Sequence, residues 1–241
     1  MEAHTPYYPP PAFRRVDEKV SVTTEHSLGL DTPHHDARQA YGGAIEYLAA
    51  IYKRMFDELY AEFDYVVTLS DHGEMLGEHG LWNHTYGLYP ELTHVSLVVS
   101  GRDLDGTTAT TVSLLDVHRT LLDTLRIDSE SCGQNVLNDR EGQCSLAEYH
   151  GLLPIAMERL AEKNAAPDFR RYDEQLTALA APVDYYGHET NNGYREEGSA
   201  TVEPRRTLTR LQRSILRRGV DTPDTDLSEA TVDQPRDLGY V

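Results

Sequence analysis

The sequence predicts an α/β protein whose mostly parallel sheet is flanked by helices. Two β-rich runs without breakers, residues 63–69 and 95–99, are continuous enough for buried strands. Amphipathic helical patterns follow one another with these runs, near residues 37–60 and 113–125, and alternation of the two periodicities is the mark of βαβ organisation. The chain of 241 residues is 39% hydrophobic and 26% charged, which is ordinary for a globular protein with a sizeable core.

Taken in order, the first 35 residues read as loop. Pro6, Pro9, Pro10 and Pro11 forbid a helix, and Thr32-Pro33-His34-His35 reads as a turn. Asp36 is positioned to cap a long helix. Its apolar positions Ala37, Tyr41, Ala44, Leu48, Ile51, Met55 and Leu59 step by three and four, which predicts one buried stripe through about Tyr60. The strand 63–69 ends on Ser70-Asp71-His72-Gly73, and the second strand, 95–99, closes on Ser100-Gly101. Ser113, with Asp116 three residues on, reads as an imperfect capping box for a helix burying Leu114, Val117, Leu121 and Leu125. Residues 164–203 read as polar and turn-rich. Residues 204–218 form a basic amphipathic pattern with Leu208, Leu211 and Ile215 on one face. The predicted organisation is an α/β unit over 1–150, a helical and irregular region over 151–220, and a linker and tail over 221–241.

Bulk charge excludes more than it identifies. Twenty-two Lys and Arg stand against 40 Asp and Glu, a formal net charge of −18, so a nucleic-acid surface is disfavoured. The arginines of residues 204–218 are expected to pair with acidic neighbours. Only Lys19, Lys53 and Lys163 are lysines, and an acidic, lysine-poor surface points to a halophilic, archaeal source in which concentrated salt screens self-repulsion. No stretch nears the roughly 18 apolar residues of a membrane helix, and Met1-Glu-Ala-His has no signal-like flank, so a cytoplasmic, membrane-free protein is expected. Cys132 and Cys144 read as free thiols or one optional bridge.

The chemistry concentrates in Ser70-Asp71-His72-Gly73-Glu74-Met75-Leu76-Gly77-Glu78-His79-Gly80-Leu81-Trp82-Asn83-His84. Ligands of open α/β sheets bind beyond the carboxyl ends of strands, where Asp71 and His72 are expected. A charged oxygen beside a neutral nitrogen suits a divalent metal, and Gly73 permits the bend that would bring both to one ion. Glu74, Glu78 and His79 read as solvated or supporting residues, and Trp82 as a packing anchor.

This segment resembles the second metal motif of the sulfatase family, in the alkaline-phosphatase-like superfamily, whose members often read S-D-H-G-E-x-x-G-E-H-G-x-W-x-K. Ala3-His4-Thr5-Pro6-Tyr7-Tyr8-Pro9-Pro10 and Tyr89-Pro90-Glu91-Leu92-Thr93-His94-Val95-Ser96-Leu97-Val98-Val99 resemble two further pieces of that family in the same order. The resemblance implies a partial alkaline-phosphatase-like (sulfatase) sandwich, truncated at the N-terminus. It implies Asp71 and His72 as metal ligands, and His4 as a contact to the sulfate and its leaving oxygen. His84 stands where the family has a sulfate-binding lysine, and there it could donate a proton to a leaving oxygen. The implied cofactor is a divalent cation, Ca2+ ahead of Mn2+ or Mg2+, and the implied substrate a small sulfate ester.

One departure is large. The family's C-x-[PA]-x-R motif, whose cysteine becomes the formylglycine nucleophile, is absent: Cys132 precedes Gly-Gln-Asn-Val and Cys144 precedes Ser-Leu-Ala-Glu. Met1 reads as an internal methionine of a longer or split gene, with a separate N-terminal half as partner and the chain inactive alone. Two readings compete with the sulfatase one: a phosphodiesterase or phosphonate monoester hydrolase of the same superfamily, and a non-catalytic remnant or partner subunit.

Overall fold

The computed structural model describes residues 4–102, 104, 110–138, 142–162 and 167–214. The expected linker and tail over 221–241, together with Ile215, lie outside these residues. The helices are α1 (Thr24–Ser27), α2 (Ala37–Glu62), α3 (Pro90–Thr93), α4 (Leu114–Thr124), α5 (Pro154–Glu162) and α6 (Pro204–Ser214). The strands are β1 (Tyr65–Leu69), β2 (Met75–Leu76), β3 (Trp82–Asn83), β4 (Leu97–Gly101), β5 (Ser145–Tyr149), β6 (Leu176–Ala181), β7 (Tyr185–Thr190) and β8 (Gly193–Glu197).

The expectation of a mostly parallel sheet is corrected: every strand pair among the described residues is antiparallel. Strands β1 and β4 form a two-stranded ribbon in which Tyr65 faces Gly101 and Leu69 faces Leu97. A parallel partner needs a crossover that carries the chain back to the starting end of the first strand. Here residues 70–96 return the chain beside the end of β1 instead, where Ser70 N–H donates to Ser96 O at 3.3 Å, so β4 runs backwards along β1.

A four-stranded sheet of order β5-β6-β7-β8 corrects the expectation that residues 164–203 are polar and turn-rich. Residues 176–181, Leu-Thr-Ala-Leu-Ala-Ala, are buried on both faces apart from Ala180. Asn191-Asn192-Gly193 turns β7 into β8, with Gly193 at φ 113°, a conformation that favours glycine. Helix α6 lies on this sheet through Leu208, which joins Leu179, Ala181 and Tyr185 in one buried cluster. The main core is larger and ties the two halves of the sequence together. Leu28, Met75, Leu81, Tyr86, Tyr89 and Leu92 pack there with Leu160, Tyr172, Leu176 and Tyr186.

Two predicted helices form, but their predicted buried stripes are not buried. Helix α2 buries only Ala37, Ala40, Gly43 and Ala44 at its N-terminal end, while Met55 is 53% exposed and Leu59 and Phe63 are also open to solvent. Asp36 occupies its N-cap position without a side-chain capping bond. Helix α4 has the predicted capping box: Ser113 Oγ accepts from Leu115 N, and Asp116 Oδ2 accepts from Ser113 N at 2.9 Å. Its buried side carries Asp116 and Thr120, which accept amide bonds from Gln134 and Val136, whereas Leu114, Leu121 and Leu125 are exposed. The polar side is covered because the 131–137 loop needs those oxygens for its amides. None of the described elements covers the apolar side well enough to bury it.

Candidate functional site

The site is built on the loop that leaves β1. Ser70 Oγ donates to the His72 carbonyl at 2.6 Å, and Asp71 Oδ1 accepts from His72 N at 3.1 Å, so the chain turns immediately beyond the strand. Gly73 is needed for proximity. Its N–H donates to Leu92 O at 2.9 Å, and a Cβ there would run into the Glu91 carbonyl. Its φ is not left-handed, so the expected role as a conformational bend gives way to close backbone approach. Downstream, Gly77 (φ 102°) and Asn83 (φ 62°) reverse the chain around the β2–β3 pair, and Asn83 Oδ1 accepts from His84 N at 2.8 Å. Asn tolerates this left-handed conformation better than most residues.

These turns bring together all four residues read from the sequence. The His72 and His84 ring centroids lie 4.1 Å apart, and those of His4 and His84 5.2 Å apart. Asp71 Oδ2 lies 3.8 Å from His72 Nε2, with Asp71 largely exposed. Asp71, His72 and His84 line a cleft of about 1360 Å³ that continues along β4 and the start of α4. The first segment is fixed by Thr5 Oγ1, which accepts from Val22 N at 2.8 Å, and by the bridge between Tyr7 and Val20.

Hydrogen bonds set the ring orientations. His72 Nδ1 lies 2.9 Å from Gly73 O and donates to it, which turns Nε2 toward Asp71. His4 Nδ1 makes the equivalent bond to Thr5 O at 2.8 Å. His84 Nδ1 sits 3.1 Å from Glu74 Oε2. The other Glu74 oxygen accepts from Tyr7 O–H at 3.0 Å. Burial, reinforced by the Glu74 charge, pushes the Tyr7 phenol far above its ordinary range, so Tyr7 remains a donor at any physiological pH.

Glu74 and Tyr7 are the functional residues that sequence reasoning underweighted. Glu74 is not solvated; its side chain is 9% exposed and supports His84. Its place inside the Ser-Asp-His-Gly-Glu run was the available signal. Tyr7 lies in the segment 3–10 that resembles the family, but its role was not read because its partner lies 67 positions away. Glu78 accepts from Leu76 N and pairs with Arg38, and Arg38 reaches over Trp82, which packs beside Tyr7, Val20 and Ala40.

The donor set fits part of a divalent-cation site. Asp71 Oδ2 and His72 Nε2 are about as far apart as two ligands sharing one ion, and ligand atoms of His72, Glu74 and His84 all lie within 4.8 Å of one another. Both Glu74 oxygens already accept bonds, so that residue holds the ring of His84 in place before it competes for an ion. A cation such as calcium takes six to eight oxygens. The described residues around Asp71 supply fewer.

The model of one family, described as Sulfatase, matches residues 1–127 of the chain. A search of curated proteins finds no match. No described helix is long and apolar enough to cross a membrane.

Proposed function

The chain belongs to the sulfatase family, and from that premise we propose that the His4, Asp71, His72 and His84 cleft is one half of a cation-assisted site for hydrolysing sulfate esters. The observation that carries this reading is the meeting of His4, His72 and His84, from two distant segments, at one cleft mouth with Asp71 beside them. Membership of the family brings with it the alkaline-phosphatase-like α/β class and a hydrolase chemistry that is generally metal-dependent.

Asp71 and His72 would hold the cation, with Ca2+ ahead of Mn2+ or Mg2+, and the bound ion would draw negative charge from the non-bridging oxygens of the ester. His84, oriented by Glu74, lines the cleft, and His4, oriented by the Thr5 carbonyl, lies against its ring. Hydrolysis of R–O–SO₃⁻ breaks the bond between sulfur and the alcohol oxygen. That oxygen leaves as an alkoxide unless a proton reaches it, and His4 or His84 supplies the proton. The nucleophile comes from elsewhere, because neither cysteine stands in a C-x-[PA]-x-R motif. We therefore propose that an N-terminal half of the family fold supplies the nucleophile. The exposed apolar sides of α2, α4 and the β1–β4 ribbon support a partner of that kind.

A reading as a non-catalytic partner subunit is favoured by the same missing motif, and the two are separated by reconstitution. The chain alone is expected to hydrolyse neither an aryl sulfate nor an aryl phosphate diester. Mixed with a family N-terminal half carrying the motif, it should turn over the sulfate, and His72→Ala should cut that rate at least a hundredfold. Turnover of the phosphate diester alone would replace the sulfatase reading by the phosphodiesterase one. An inert mixture in which the two halves still associate would establish the non-catalytic subunit.

A further inference from the structure

The described residues hold a second group of metal-binding side chains, on the turn that leads into α2 and apart from the cleft: His34, His35 and Asp36. Pro33 sets the chain turning, and the Ala37 amide closes the turn by donating to His34 O at 2.9 Å. Three consecutive side chains of an extended segment would point to alternate faces, but those of a tight turn can share one. Here they do: a ligand atom from each lies within 4.8 Å of the others.

The finer geometry suits a small tetrahedral ion. His35 Nε2 and Asp36 Oδ2 are 3.2 Å apart. Two ligands bound tetrahedrally at about 2.0–2.1 Å sit roughly 3.3 Å from each other. The His34 and His35 rings lie alongside, with centroids 4.4 Å apart and planes tilted by 32°. Binding would exchange two interactions: the Asp36 amide's bond to His34 Nδ1 at 3.2 Å and the pairing of His35 Nε2 with Asp36 Oδ2. Asp36 makes no side-chain capping bond to α2, so its carboxylate is not committed to the helix it precedes.

We propose that His34, His35 and Asp36 form a binding site for a borderline transition-metal ion of the zinc class, separate from the cation of the cleft. Two imidazoles and one carboxylate select zinc, cobalt, nickel or copper over calcium and magnesium, which prefer oxygen donors. The exposed setting of His35 leaves the remaining coordination positions to water. The ion would fix the first turn of α2. The next residues of that helix, Ala37 and Ala40, pack against Tyr7, Val20 and Val22, the same cluster that anchors the His4 segment. Binding would thus stiffen the cluster that anchors the His4 segment without touching the ligands of the cleft.

The experiment is a Zn2+ titration of the whole chain against a chromophoric chelator, paired with the visible absorption of bound Co2+. Wild type and His72→Ala/His84→Ala are both expected to keep one Zn2+ equivalent that millimolar Ca2+ does not displace. His34→Ala/His35→Ala should lose that equivalent, or bind it at least tenfold more weakly, and lose the corresponding Co2+ bands. His35 is exposed and His34 half-buried, and an unchanged far-ultraviolet circular dichroism spectrum confirms that the variant folds. The proposal is overturned if His34→Ala/His35→Ala retains the full stoichiometry and affinity, or if the equivalent disappears with His72→Ala/His84→Ala. Neither outcome bears on sulfate-ester hydrolysis, so the two assignments stand or fall separately.

Discussion

Strands β6 and β7 are buried along nearly their whole length, whereas the more apolar β1–β4 ribbon is largely uncovered. Leu179, Ala178 and Tyr186 are closed off by α6 and by the Leu28–Tyr89 core. On the ribbon, Tyr65, Leu69 and Val98 face solvent, as do Met55 on α2 and Leu121 and Leu125 on α4. A two-stranded ribbon is marginal by itself in water, and three or more strands or a packed helix are the usual remedy. The contrast separates a half of the molecule that is complete in its packing from one whose apolar groups wait for cover. The chemistry sits on the seam, since Asp71 and His72 leave the bare ribbon while Met75 and Tyr89 root the neighbouring segments in the packed core.

Breaking the packed side should cost most. Leu160 is 0% exposed and sits in the main core, so Leu160→Ala should lower stability by about 2–5 kcal/mol. Leu121→Ala on the open face of α4 should change it by less than about 0.5 kcal/mol. Urea unfolding of both variants checks the pair, and equal midpoints would erase the contrast. Supplying the cover should reverse the ranking for association: Leu121→Glu should leave the lone chain intact yet weaken capture of an N-terminal half at least tenfold.

A smaller effect concerns acid. His188 on β7 is 2% exposed, and neither ring nitrogen has a hydrogen-bond partner. It packs between Tyr89 and Tyr186, with Glu197, Arg195, His79 and Glu91 contributing charge nearby, and Glu91 Oε2 is likewise buried and unpartnered. Burial holds the imidazole below its usual value, so the folded state keeps it neutral while the unfolded chain takes up a proton. Stability from this residue is complete above about pH 6.5 and falls as pH drops through that value toward the lowered folded one. At most about 1.4 kcal/mol is lost per pH unit for one proton. His188→Phe should flatten that part of the profile, measured by thermal melts between pH 7 and 5. An unchanged slope would show that other groups govern acid sensitivity.

The mildest test lies on the seam. Tyr7→Phe removes the O–H that Glu74 accepts and should cost about 1–2 kcal/mol. It should also broaden the His84 ring resonances in nuclear magnetic resonance spectra, because Glu74 would be held from one side only.

Much of the site was legible because its signal is local. The run Ser70 to His84 carries its donors, its glycines and its turns within fifteen successive positions, and the Ser113–Asp116 cap was equally readable. What failed depended on distant contacts. Apolar spacing identified α2 and α4 as helices, but periodicity reports which side is greasy and cannot report whether anything lies against it. Strand direction was misjudged because β1 and β4 read the same forwards or backwards; only the path of residues 70–96 decides. The β6–β8 meander hid behind alanine, glycine and glutamate, which carry a weaker β signal than valine or isoleucine. The position of Tyr7 in a family-like segment was readable, but its role exists only once Glu74 arrives beside it.

Gly73 carries a consequence of its own. Main chain meets main chain at that point, the loop bearing His72 pressed on the short helix that feeds β4, with no side chain as spacer. The thickness of a single methyl group there would act as a wedge. It would prise the imidazole away from its carboxylate neighbour and tilt the ribbon's second strand together with it, so the gauge of the cleft and the register of the ribbon are set by the same missing atom.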